Sequence, residues 1–263
     1  MDNRPIGVCD SGIGGIVVLS EIIKKLPHES FIYLGDTGRF PYGSKSQENI
    51  IKYTKESIAF LIKQNVKAIV VACGTASTVL SEVLKYKYPV PIIGIIEPTM
   101  NAITGPNVAV IATARTIASK VWDQILLEHN PNLKIASNGC PLLAPMAEAG
   151  WTDNEIAKLA IREYLKPFQN KKINQLILGC THYPLFKSLI KQELKNTEII
   201  DVGEHTAIYL QTMLKKKKLL SEKAIPKYQI NLTDMDESYL SMVNSLLNGL
   251  AEIERSNIKK VEL

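Results

Sequence analysis

The stretch AIVVACGTAST, Ala68 to Thr78, governs how the rest of the chain is parsed. Its start is short, apolar and rich in β-branched residues, with no polar alternation, the form of a strand covered on both faces in a parallel sheet. The run stops at Cys73, and Gly74, Thr75 and Ser77 follow at once. A thiol therefore stands where a buried strand turns into a helix, and open α/β sheets bind ligands beyond such carboxyl ends.

Outward from this stretch the same pattern recurs. The runs IGVCD, FIYLGD, PIIGII, NVAVIA, LKIAS, QLILGC and TEIID read as further strands. Between them, apolar residues at helical spacing predict helices over Ile16 to Leu26, Gln47 to Lys63, Ala76 to Lys87, Ile117 to Glu128, Asn154 to Lys166 and Phe186 to Leu194. The fold class is α/β with mostly parallel sheets. QLILGCTHYPL, Gln175 to Leu185, resembles the opening stretch: apolar strand, small residue, cysteine, then threonine, with the thiols 107 positions apart. That internal repeat predicts two pseudo-symmetric α/β lobes, each presenting one cysteine at a strand end, with the active site in the cleft between them.

The expected lobe boundary follows IIEPTM, where Pro98 interrupts the pattern and TGPN supplies turn residues. Beyond Asp201 lie two helical stretches, EHTAIYLQTMLKKKKLL and DESYLSMVNSLLNGLAEIE, and a short strand-like YQINLTD. This segment is too long for a tail and is expected to return to the first lobe. The predicted lobes are residues 1–97 plus 207–263, on the Cys73 side, and residues 98–206, on the Cys180 side.

Composition narrows the function classes. The 263 residues are 46% hydrophobic and 22% charged, as in an ordinary folded protein. The net charge of +5 is spread along the chain, and its one dense run, LKKKKLL, carries no interleaved aromatic residue; it reads as a solvated helix face, so no nucleic-acid partner is expected. The start has no signal-peptide pattern and nowhere do 18 apolar residues run together, so a cytoplasmic protein without membrane contact is expected. The four cysteines show no C-x-x-C spacing, which argues against a zinc site, a disulfide framework and thiol-redox chemistry.

What remains is the reactivity of single thiols. A cysteine works as base or nucleophile when its pKa is drawn down from about 8.5, which helix N-termini and neighbouring cations do. Cys73 and Cys180, set among Gly, Thr, Ser and His, suit that role; Cys9 and Cys140 read as inert buried residues. His182, two positions after Cys180, is placed to exchange protons with it. Asp10 ends the first strand, and the SGIGG after it is able to cradle an anion on backbone N–H groups, although it is not a dinucleotide fingerprint. Further donors recur at the other strand ends: Tyr42 and Gly43, Thr75, and Thr181. Together they describe a small anionic ligand gripped by neutral donors between two thiols.

GVCDSGIGG, YLGDTGRFPYG, VVACGTAST, GIIEPT and LILGCTHYPL, in this order and spacing, resemble the glutamate racemases over nearly the whole chain. The resemblance implies a cofactor-independent, metal-free isomerase that interconverts L-glutamate and D-glutamate for peptidoglycan synthesis and works as a homodimer. It implies that Cys73 and Cys180 act from opposite faces of the substrate, with Asp10 assisting Cys73, and His182 and Glu148 assisting Cys180. It also implies substrate contacts at Asp10, Ser11, Tyr42, Gly43, Gly74, Thr75, Thr181 and His182. A racemase for aspartate or a broader range of amino acids, and a non-catalytic amino-acid binding protein, are the alternatives. The match departs at one place: the family's usual Cys-Asn-Thr is here Cys73-Gly74-Thr75, so an amide side chain expected at the substrate is absent.

Overall fold

The computed structural model describes residues 2–222 and 225–263. Its strands are β1 (Ile6–Asp10), β2 (Phe31–Gly35), β3 (Ala68–Val71), β4 (Ile92–Ile93), β5 (Asn107–Ala112), β6 (Lys134–Gly139), β7 (Gln175–Leu178), β8 (Glu198–Asp201), β9 (Tyr228–Leu232) and β10 (Ile258–Lys260). They form two sheets, β10-β9-β2-β1-β3-β4 and β6-β5-β7-β8. Every strand pairing within them is parallel. The repeat inferred from the two cysteines is visible in this order. β2-β1-β3-β4 and β6-β5-β7-β8 share one topology, in which the first strand sits between the second and third.

The helices are α1 (Gly15–Lys25), α2 (Gln47–Lys63), α3 (Gly74–Ser77), α4 (Leu80–Val83), α5 (Ile96–Thr99), α6 (Ala114–Ala118), α7 (Val121–His129), α8 (Leu143–Glu148), α9 (Glu155–Leu165), α10 (Lys187–Glu193), α11 (Val202–Lys216) and α12 (Ser238–Leu247). They cover both faces of each sheet, which is why the strands read as continuous apolar runs. In the first sheet Ile6, Val8, Tyr33 and Val70 pack with residues of α1, α11 and α12. Alternate residues, among them Cys9, Leu34, Ile69 and Val71, pack with α2 and α4. The second sheet repeats the arrangement, with Ile111 and Leu178 toward α8 and α9, and Val110 and Ile177 toward α7.

Four local differences from the sequence expectation have physical causes. The helix expected over Ala76 to Lys87 is two short pieces, α3 and α4, because Thr78 Oγ1 donates back to the Thr75 carbonyl at 2.7 Å and competes with continued helix. The one expected over Ile117 to Glu128 breaks at Lys120, which is left-handed with φ of 61°. Ser119 Oγ accepts there from Val121 N. Pro98 does not interrupt the chain: it lies in the first turn of α5, where its missing N–H costs nothing. β10 leaves no strand signal in the sequence because it is three residues long with only Ile258 buried, too short for a period-2 pattern to register.

α11 carries the chain from the second sheet back to the first. Val202 packs in a second-sheet cluster, whereas Ala207, Leu210 and Leu214 pack in the core of the first, so position 206/207 falls inside one helix. A buried ion pair fastens the base of the first sheet. Lys67, 0% exposed, meets Glu29 and also donates to the carbonyls of Asp2 and Leu219 at 2.7 and 2.6 Å.

Candidate active site

The carboxyl ends of β1, β3, β5 and β7 converge where the sheets face each other. Cys73 follows β3 and caps α3, its Sγ accepting from Ala76 N at 3.4 Å. Its thiol donates to Ser11 Oγ, just past β1, at 3.5 Å. Cys180 follows β7 at the equivalent position and lies 3.8 Å from His182 Nδ1. His182 Nε2 meets Glu148 Oε1 at 3.0 Å, and the same oxygen accepts from Ile13 N at 3.3 Å, 135 positions away in the first sheet's half of the molecule. Each cysteine thus has a partner of its own kind: a hydroxyl for Cys73, an imidazole–carboxylate pair for Cys180.

The glycine-rich turn after β1 does cradle anions, but they are the protein's own. Gly12 N donates to Asp10 Oδ2 at 3.0 Å, and Ile13 N is taken by Glu148. The other oxygen, Asp10 Oδ1, is buried with no hydrogen-bond partner among the described residues. Burial raises the Asp10 carboxyl above its ordinary range; the charge of His182 and the N–H groups of Gly12 and Gly15 pull it back only in part.

Electrostatics sets Cys73 differently from the sequence expectation. A strand-end cysteine opening a helix was expected to be drawn down. Instead burial, helped by the charge of Asp10, pushes the Cys73 thiol up to about 12, and the bonds with Ser11 and Ala76 offset only part of that. Burial raises Cys9 and Cys140 too, in keeping with inert thiols. For His182, burial alone would lower the imidazole, but the bonds to Cys180 and Glu148 outweigh it and carry it up to about 10. The raised value favours the imidazolium form at neutral pH, with Nδ1 facing the sulfur of Cys180 and Nε2 facing Glu148. Because the folded value is the higher one, protonated His182 adds stability in full below its ordinary 6.5, and that contribution is lost as the pH rises through about 10. Glu148→Gln removes the charge behind Nε2 and is expected to move the His182 titration down toward 6.5, read by NMR of the imidazole. An unmoved titration would mean that Glu148 does not hold the proton.

Of the other expected contacts, Gly43 and Thr75 reach the cleft and the Tyr42 hydroxyl does not. Tyr42 OH donates to the buried carboxylate of Asp36, so its hydroxyl is already engaged. Gly43 lies against the second lobe, where a β-carbon would stand 2.7 Å from Thr113 Cβ. Thr75 Oγ1 is 3.0 Å from Thr113 Oγ1 and 3.1 Å from Thr116 Oγ1, which are themselves 2.9 Å apart. Thr181 Oγ1 is 3.4 Å from His182 Nδ1. The hydroxyl triangle joins the two lobes and presents rotatable donors.

Gly74 is the closest backbone approach in the site. A β-carbon there would lie 3.2 Å from the Gly179 carbonyl carbon and nearer still to its oxygen. The space that an amide side chain would need is filled by the backbone leading into Cys180, which lies 3.6 Å away at its Cα.

Sequence reasoning missed Thr113, Thr116, Asp36 and Phe40, whose ring centroid is 5.8 Å from that of His182. The repeat itself carried a signal for Thr113. Cys9 pairs with Val71 and Ile111 with Leu178, so Ser11 and Thr113 are equivalent strand-end hydroxyls, as Cys73 and Cys180 are equivalent thiols. Among the described residues no group of three or more His, Cys, Asp and Glu side chains is placed to hold a metal ion.

Two like parallel sheets, each with a cysteine two residues past an equivalent strand end, define an α/β protein of repeated architecture. Residues 18–208 match the family model of the Asp/Glu/hydantoin racemases. The chain belongs to that family and stands within it among the glutamate racemases. It is 39% identical over 254 residues to the glutamate racemase of Geobacter metallireducens, covering 94% of this chain and 93% of that one. The crystal structure of the Francisella tularensis glutamate racemase in complex with D-glutamate superposes with a TM-score of 0.93 at 36% identity, covering 100% of this chain and 98% of that one. A glutamate racemase isoform from Bacillus anthracis gives 0.94 at 37% identity, over 100% and 99% of the two chains.

Proposed function

We propose that this protein interconverts L-glutamate and D-glutamate by moving the α-proton between Cys73 and Cys180. The observation that carries the reading is the pair of cysteines at equivalent ends of two like sheets, each with its own partner. One group removes the α-proton, leaving a carbanion that is planar at the α-carbon, and the opposite group returns a proton to the other face. Cys73, held as a thiol, is ready to deliver a proton; Cys180 faces the His182–Glu148 pair on the opposite side, and each turnover moves one proton from the substrate to one sulfur and one from the other sulfur to the substrate.

The unpartnered Asp10 Oδ1 suits the substrate ammonium: leaving such an acceptor unpaired costs about 1–3 kcal/mol, which that donor would relieve. The Thr75, Thr113 and Thr116 hydroxyls suit a carboxylate, and fixed donors in a closed site stabilise the developing charge. The division into residues 1–97 plus 207–263 and residues 98–206, with α11 shared, is part of the reading. So are action as a cytoplasmic homodimer and supply of D-glutamate to peptidoglycan synthesis; family membership supports these. Among the described residues no helix is long and apolar enough to cross a membrane.

The test is incubation with L-glutamate, D-glutamate, L-aspartate and other amino acids in deuterium oxide, followed by NMR and polarimetry. Glutamate is expected to lose its α-proton signal and its rotation. Exchange confined to aspartate would move the substrate assignment, and binding without exchange would make the protein a binding module.

A further inference from the structure

We propose that Asp36 and Thr233 are positioning residues that latch the loop between β2 and α2 onto the end of β9, and so set its geometry over the cleft; this rests on reading the cleft as the glutamate site. The loop forms one wall. Phe40 packs on His182, Tyr42 lines a small cavity together with Cys9, Asp10 and Cys73, and Gly43 presses on Thr113. Among the described residues, neither Asp36 nor Thr233 hydrogen-bonds His182, Cys9, Asp10, Cys73 or Thr113 through its side chain. Their effect runs through the loop.

Asp36 is 0% exposed at the end of β2. Its Oδ2 accepts from Arg39 Nε at 2.7 Å and from Tyr42 OH, and its Oδ1 accepts from Thr233 Oγ1 at 2.9 Å. Thr233 Oγ1 in turn accepts from Gly38 N at 2.9 Å. Beside it, Asp234 N donates to Thr37 Oγ1 at 2.8 Å, and that hydroxyl donates back to the Asp234 carbonyl. One buried carboxylate therefore gathers Arg39 and Tyr42 of the loop and a hydroxyl 197 positions away. Asp36 N also donates to the Asp10 carbonyl at 3.0 Å, tying the latch to the strand that carries the unpartnered carboxylate oxygen.

Thr233→Val keeps the shape but removes both the donor to Asp36 and the acceptor for Gly38, whereas Thr233→Ser keeps both. The valine variant is expected to raise KM for glutamate about tenfold, with kcat within about threefold of the parent, and the serine variant to restore KM to within about twofold. Hydrogen exchange of the amides in 37–44, which needs no turnover, is expected to speed up about tenfold in the valine variant only. Unchanged exchange in the valine variant would overturn the latch. Faster exchange with KM unchanged would overturn its positioning role. Absence of glutamate turnover in the parent would instead remove the reading of the site, leaving exchange to decide the latch.

Discussion

Cys73→Ser and Cys180→Ser are each expected to lower racemisation by at least about 10³-fold in both directions, because a serine hydroxyl is a far weaker acid and base than a thiol and neither face can do the other's work. The remaining thiol is expected to keep exchanging the α-proton of a single enantiomer with solvent, a different one in each variant. Chiral chromatography and deuterium incorporation read both effects. Serine can still accept from Ala76 N at position 73, so the short helix stays capped and the melting temperature is expected to hold. Near-normal turnover in either variant, or both variants exchanging the same enantiomer, would end the two-thiol assignment.

Gly74→Asn, which restores the family's usual residue, is expected to harm this enzyme rather than improve it. The obstruction is the β-carbon meeting the Gly179 carbonyl, and backbone has little freedom to move aside. The lobes must then part at the point where Cys73 and Cys180 approach. A displacement of about 1 Å between reacting groups costs on the order of 10²-fold in rate. Gly74→Ala should show most of the loss, since it carries the same β-carbon. Faster alkylation of Cys73 and Cys180 by iodoacetamide would report the wider gap. An alanine variant with unaltered kcat and unaltered thiol accessibility would show that Gly74 does not set the spacing.

The strands were legible because sheets covered on both faces demand continuous apolar runs, and β1 to β8 all sit on such runs. Helices were legible where one amphipathic face dominates, as in α2, which spans Gln47–Lys63 as expected. They were misread where a side chain competes locally with the helix, at Thr78 and Ser119. In the site, the thiols, Asp10 and His182 belong to the quoted motifs and Glu148 came from the resemblance alone; the structure sets Glu148 against His182 and His182 beside Cys180. Tyr42 shows the limit: its motif marks its place, but only the fold reveals that Asp36 takes its hydroxyl.

By itself the sequence determined that two apolar strands end in cysteines flanked by small polar residues, and that the chain is a repeated α/β pattern. Those properties are local and survive as composition and period. Only the tertiary structure decided which distant groups meet: Glu148 with Ile13, Thr75 with Thr113 and Thr116, and Gly74 with Gly179 between the two sheets, and Asp36 with Thr233 within the first. Such contacts join residues far apart in the chain, and two of them use backbone groups, the Ile13 N–H and the Gly179 carbonyl, that leave no side-chain pattern. It also decided that Cys73 is held as a thiol, because burial and the neighbouring Asp10 charge outweigh the two hydrogen bonds to its sulfur.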